Sequence, residues 1–214
     1  MIALVIDPGT STGYSLIEVD DKGEWANIYH DDYLQIDTSS EYQGDHCIDL
    51  MNQLQEIIDE NKVDKICVED FFFTKRKATG CNVNSAFRTA IHILARNNDI
   101  PYHIINISAW KTYVAGRSNP TKEQKRKWGK SLANKFFIQE ALWKRFKFKF
   151  PNHSISKNTG KPIAFRLDQV DVTGMAVYYC GIIEGVSRKN ITRSTFIPEN
   201  HLFKKEPKKT FKYK

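Results

Sequence analysis

Two carboxylates at strand ends, and two more one helical turn apart, are the residues of this chain best suited to chemistry. The run Ile2-Ala3-Leu4-Val5-Ile6 reads as a buried strand with Asp7 at its mouth, and Pro8-Gly9 then demands a sharp turn. Lys65-Ile66-Cys67-Val68-Glu69 reads as a second short buried strand that also ends in a carboxylate. Far downstream, Asp168 and Asp171 are spaced i, i+3 in a helical pattern, which puts them on one face. Singly, each has an ordinary explanation. Asp7 could accept backbone N–H bonds in its turn, Glu69 could be an edge charge, and Asp168 could answer a helix dipole. Brought together, four carboxylates cannot all stay ionised unless cations share the site. Hard oxygen donors of this kind suit Mg²⁺ or Mn²⁺. Two such ions, about 4 Å apart, would activate a water and stabilise the leaving oxygen of a phosphodiester.

The elements that must position these groups follow from periodicity. After the first strand the chain returns as a second over residues 14–19. Residues 25–29 and 33–36 alternate as further antiparallel strands, with Asp31-Asp32 between them as a turn. Helical spacing predicts helices over 46–60, 84–97, 122–143 and 166–184. A strand is expected over 102–107, and Ser108 is a natural cap for a short helix after it. Hairpins followed by alternating helices and strands indicate an α/β fold with a mixed sheet. The domain is expected to span 1–185, with a basic insertion over 144–165 and a basic C-terminal tail over 186–214.

Charge is distributed unevenly. Residues 1–70 hold 17 acidic and 3 basic residues, whereas the remainder holds 8 acidic and 29 basic ones. That asymmetry points to a polyanionic partner for the second part of the chain. Lys122, Lys125, Arg126, Lys127 and Lys130 crowd one helical stretch, and residues 144–165 contain no acidic residue while Lys147 and Lys149 alternate with Phe146, Phe148 and Phe150. A β-ribbon that contacts DNA and one that packs a dimer fit that stretch equally. No apolar run is long enough to span a membrane. A strand directly after Met1 leaves no room for a signal peptide, so a cytoplasmic location is expected. The four cysteines form no C-x-x-C pair, which argues against structural zinc and a disulfide framework.

With Asp7-Pro8-Gly9, Glu69 and Asp168-x-x-Asp171 in this order, the chain resembles RuvC-type Holliday junction resolvases, from its N-terminus to about residue 185. Ile6-Asp7-Pro8-Gly9, with Gly13-Tyr14 downstream, is close to that family's first motif, and Val68-Glu69 before Phe71-Phe72-Phe73 is similar to its second. The segment from Trp110 and Lys111 to Gly116, with Lys122 beyond it, resembles the family's lysine-bearing region. The resemblance implies an RNase H-like fold with a five-stranded sheet, a homodimer, two divalent metal ions, and symmetric nicking of four-way DNA junctions. It implies that Phe72 inserts beside junction bases and that Lys111 and Lys122 are functional lysines. Lys75, Arg76 and Lys77 would bind phosphates next to Phe72, and Lys122 could stabilise charge on the scissile phosphate. The acidic 20–43 region, the insertion and the tail depart from the compact pattern, as a divergent phage or viral member could, and leave open other branched substrates.

Three other readings compete. Asp7-Pro8-Gly9-Thr10 also resembles the phosphate loop of actin-like ATPases and sugar kinases, but a second such loop and a second lobe find no room. A non-catalytic branched-DNA-binding module would satisfy the charge distribution, but retained carboxylates would weaken its binding. A nuclease of RNA/DNA hybrids would differ in substrate more than in mechanism.

Overall fold

The computed structural model describes residues 1–70, 78–150 and 167–194. Period-two alternation in β1 (Ile2–Asp7) sets the frame. Ala3 and Val5 enter one core and Leu4 and Ile6 the other, and Asp7 shares the parity of Ala3 and Val5. β2 (Ser11–Val19) runs antiparallel to β1, and β3 (Ala26–Gln35) antiparallel to β2. After α1 (Gln43–Asn61), β4 (Lys65–Glu69) lies parallel to β1 with Ile6 opposite Val68. α2 (Ala78–Asn97) leads to β5 (Tyr102–Ile105), parallel to β4. The order is β5-β4-β1-β2-β3-β6, where β6 is Ile191–Arg193, parallel to β3.

Helices cover both faces. Leu50, Leu54 and Ile57 of α1 and Phe87 and Ile91 of α2 pack on Leu4, Ile6, Ile66 and Val68. On the other face lie α3 (Ile107–Ala115), α5 (Lys130–Phe146) and α6 (Leu167–Tyr178), the last continued by a π-helical turn, Tyr179–Ile183. Trp110, Phe137, Ile138, Val170 and Met175 meet Ala3, Val5, Ile17 and Cys67 there. Each sheet face is therefore matched to its own helix layer, as a buried mixed sheet requires. Among the described residues, no helix is long and apolar enough to cross a membrane.

Several expectations change. The sheet has six strands, not five, because Ile191–Arg193 pairs with β3. Val186 and Ile191 are buried, so packed structure continues past the expected boundary at 185. Asp31-Asp32 is no turn: β3 runs through it, because the Asp31 charge is met inside the fold. Arg193 donates to Asp31 from Nε at 3.2 Å and from Nη2 at 2.8 Å, with both side chains nearly buried. The helix expected over 122–143 is two, α4 (Lys122–Trp128) and α5, broken at Gly129 with φ +78°.

The start of the expected insertion packs on the fold. α5 runs through Phe146, Phe148 is buried, and the Arg193 guanidinium stacks 4.5 Å from the Phe150 ring centroid. The ribbon expected beyond it, and the tail past Ser194, lie outside the described residues. Asn106, not Ser108, caps α3: its side chain accepts from Ala109 N at 3.1 Å.

Candidate active site

Parallel pairing of β1 with β4 sets their C-terminal ends side by side, and these ends carry Asp7 and Glu69. Both residues share the parity of the core that faces α3 and α6. The turn behind Asp7 is closed by buried Thr12, whose Oγ1 accepts from Gly9 N at 3.2 Å and lies 2.5 Å from Gly9 O. Beside it opens a cleft of about 420 Å³, lined by residues 7–11 with Val83 and Asn84 of α2.

The third carboxylate comes from α6. Gln169 Nε2 donates to Asp31 O at 2.8 Å, and Thr173 Oγ1 lies 3.3 Å from Asp31 Oδ2. β3 thus holds the helix turn that bears Asp171. Asp171 is buried, 7 % exposed, and its Oδ1 has no hydrogen-bond partner. Its Oδ2 accepts from the ammonium of Lys135 on α5. Asp168 stands one turn earlier on α6; its side chain is outside the described set.

Glu69 links these groups. Burial first, and then the charges of Asp7 and Asp171, hold its carboxyl well above the usual carboxylate range. The indole N–H of Trp110, which donates to Glu69 Oε1 at 2.8 Å, and the charge of Lys111 pull the other way. Lys111 stands 5.1 Å over the Trp110 ring. Asp70, the neighbour of Glu69, is engaged by Arg88 at 2.7 Å.

The donor chemistry fits a divalent ion: three carboxylates that act on one another, one with a buried, unsatisfied oxygen. Among the described residues, however, no three carboxylate, imidazole or thiol groups already close around one point. Trp110 holds Glu69 and Lys135 holds Asp171.

The predicted residues divide accordingly. Asp7, Glu69, Asp171 and Lys111 come together. Lys122 instead opens α4, exposed, in a capping box of Thr121 with Gln124, and it makes no ion pair with a site carboxylate among the described residues. Lys125, Arg126, Lys127 and Lys130 are likewise exposed on α4 and the start of α5. Phe72, Lys75, Arg76 and Lys77 lie outside the described residues. Motif spacing missed two residues with direct contacts to the site, Trp110 as a donor and Lys135. The available signal for Lys135 was a lysine set between the apolar positions Ala133 and Phe137 of one helix.

The mixed sheet with a helix layer on each face is an RNase H-like fold. The family described as "Crossover junction endodeoxyribonuclease RuvC" matches residues 3–135, and the chain belongs to that family. It is 31% identical over 134 residues to the RuvC crossover junction endodeoxyribonuclease of Caldicellulosiruptor saccharolyticus, covering 62% of this chain and 78% of that protein. To the enzyme of Chloroflexus aurantiacus it is 32% identical over 129 residues, covering 58% of this chain and 74% of that one. The fold is similar to Thermus thermophilus RuvC, with a TM-score of 0.57, 16% identity, and coverage of 86% of this chain and 98% of that one. It is also similar to T. thermophilus RuvC in complex with a Holliday junction substrate, with a TM-score of 0.56, 14% identity, and coverage of 86% and 97%. The family match stops before Asp171, which α6 brings to the site.

Proposed function

We propose that this chain is a divalent-metal-dependent endonuclease that resolves four-way DNA junctions by symmetric nicking. The observation that carries the reading is the meeting of Asp7, Glu69 and Asp171, with Asp171 Oδ1 buried and unsatisfied, in a member of a junction-endonuclease family. Asp7, Glu69, Asp168 and Asp171 would hold two Mg²⁺ or Mn²⁺ ions. Bound there, the ions supply activation of a water and stabilisation of the leaving oxygen in phosphodiester hydrolysis. Trp110 orients Glu69, and Lys111 adds positive charge where a phosphate must approach carboxylates. The exposed cations of α4 and the start of α5 grip the backbone without reading sequence.

Symmetric incision asks for two copies of the site, hence a homodimer. An apolar groove between α1 and α2, lined by Cys47, Met51, Ala86, Ala90 and Ile93 and flanked by exposed Ile48, offers a surface for a second copy. Light scattering after gel filtration would report the dimer.

The test is a nicking assay on synthetic four-way junctions with Mg²⁺, alongside linear duplex, flap and RNA/DNA hybrid. Paired, symmetric nicks in the junction are expected, lost in EDTA. Asp7→Asn, Glu69→Gln, Asp168→Asn and Asp171→Asn should abolish cleavage and leave junction binding largely intact. Full activity in EDTA, or equal cutting of plain duplex, would overturn the reading.

A further inference from the structure

Lys135 is half-hidden on α5, its side chain 24% exposed, and it gives its ammonium to Oδ2 of a buried aspartate whose other oxygen has no partner. A lysine placed only to tie α5 to α6 has no need of a carboxylate left half open. Asp7 and Asp171 both act on Glu69, so the three carboxylates repel one another. An ammonium on one carboxylate lowers the repulsion within such a set and occupies part of the space where a cation would sit. Lys111 supplies charge to Glu69, and Lys135 gives its ammonium to Asp171.

We propose that Lys135 is a built-in counter-ion: its ammonium holds Asp171 in the metal-free enzyme and must yield to an incoming divalent cation. The inference rests on the metal-dependent reading above. It has two consequences of opposite sign. Lys135 weakens metal binding by the DNA-free enzyme, because its charge opposes the ion at the shared carboxylate. Once displaced, its ammonium stands beside the ion-binding carboxylates, where the scissile phosphate offers it a new acceptor. Metal loading and substrate docking are thereby coupled, and the DNA-free enzyme stays poorly loaded. A merely structural tie predicts otherwise: removing it would loosen Asp171 and leave metal affinity unchanged or weaker.

The experiment titrates Mn²⁺ into the full chain without DNA, by calorimetry and by electron paramagnetic resonance of free Mn²⁺. It compares wild type with Lys135→Met and Lys135→Arg. Lys135→Met should bind Mn²⁺ more tightly by roughly tenfold and still cleave junctions more slowly at saturating metal. Lys135→Arg keeps the charge and should bind Mn²⁺ as wild type does. In thermal melts, metal-free Lys135→Met should unfold below wild type, and saturating Mn²⁺ should close that gap. A folded Lys135→Met that binds Mn²⁺ no more tightly than wild type overturns the counter-ion and leaves the metal-dependent reading standing. Wild type that binds no Mn²⁺ and cleaves without it overturns both.

Discussion

Trp110 donates its indole N–H to Glu69 at 2.8 Å, and it can lie there because residue 174 is glycine. A Cβ on Gly174 would stand 2.7 Å from Trp110 Cζ3 and 3.4 Å from a methyl of Ile138. The indole is fully buried, wedged between α6 and the end of β4, so it cannot retreat without moving one of them. Trp110→Phe keeps most of the packing and removes the donor. That donor favours the ionised carboxylate, so its loss lifts the Glu69 carboxyl further above its usual range. Metal binding needs the ionised form, so the pH–rate profile of Trp110→Phe should move to higher pH. Near neutral pH the rate should fall roughly tenfold, recovering as pH rises. A uniform drop at all pH values would mean that Trp110 only packs. Gly174→Ala should cost about 1–3 kcal/mol of stability through overpacking, measured by urea unfolding.

Glu69→Gln separates the charge from the shape. The amide oxygen can still accept from Trp110, while repulsion with Asp7 and Asp171 disappears. A carboxylate whose folded value is raised loses stability for the fold as pH climbs from its unfolded value through its folded one. Metal-free Glu69→Gln should therefore be more stable than wild type at pH 8, by about 1 kcal/mol or more, and nearly equal to it at pH 4. Melting curves in EDTA at both pH values read this directly. Equal stability at pH 8 would show that neither burial nor the neighbouring carboxylates weigh on the Glu69 charge. Cleavage should be lost at every pH.

How much of this was legible differs by element. Apolar runs ending in Asp7 and Glu69 announce their strands, because both faces of the central sheet are buried and nothing polar interrupts them. β3 was split at Asp31-Asp32 because two acidic residues read locally as a turn. What keeps them in a strand is Arg193, whose partner lies 162 residues away in sequence and carries no local signal. β6 was hidden for a related reason. Three residues in a basic, apolar-poor stretch form a strand only because β3 offers an open edge. Lys122 and Lys135 show the limit of spacing: both are lysines on helices, and only packing of α5 against α6 decides which reaches Asp171.

The Arg193–Asp31 pair makes that hidden contact testable. The side chains are 8% and 6% exposed, and the pair joins β3, β6, Lys149 O and the stretch of α6 that carries Asp171. Removing one partner strands a buried charge. Arg193→Ala should cost about 3–5 kcal/mol in urea unfolding. Replacing both with apolar residues, Asp31→Leu with Arg193→Met, should recover part of the loss, since no charge is then left unpaired. A chain stopped after residue 185 should lose at least as much as Arg193→Ala. If it unfolds like wild type, β6 contributes nothing and the domain does end where composition changes.

The exposed cations of α4 make a prediction about binding without chemistry. Lys125, Arg126 and Lys127 stand exposed on a seven-residue helix with no buried residue, Lys127 lying 5.0 Å over the Trp128 ring. In the function proposed above they meet phosphates, whose neutralisation releases counter-ions and steepens the salt dependence of binding. Changing all three to Gln should reduce the slope of log affinity against log salt by about 2–3, while junction cleavage at saturating protein and low salt stays close to wild type. Fluorescence anisotropy of a labelled junction between 50 and 200 mM salt, roughly the range over which such contacts act, measures the slope. An unchanged slope would remove α4 from the DNA interface. A lost slope together with lost cleavage at low salt would mean that the helix also places the scissile phosphate over Asp7 and Glu69.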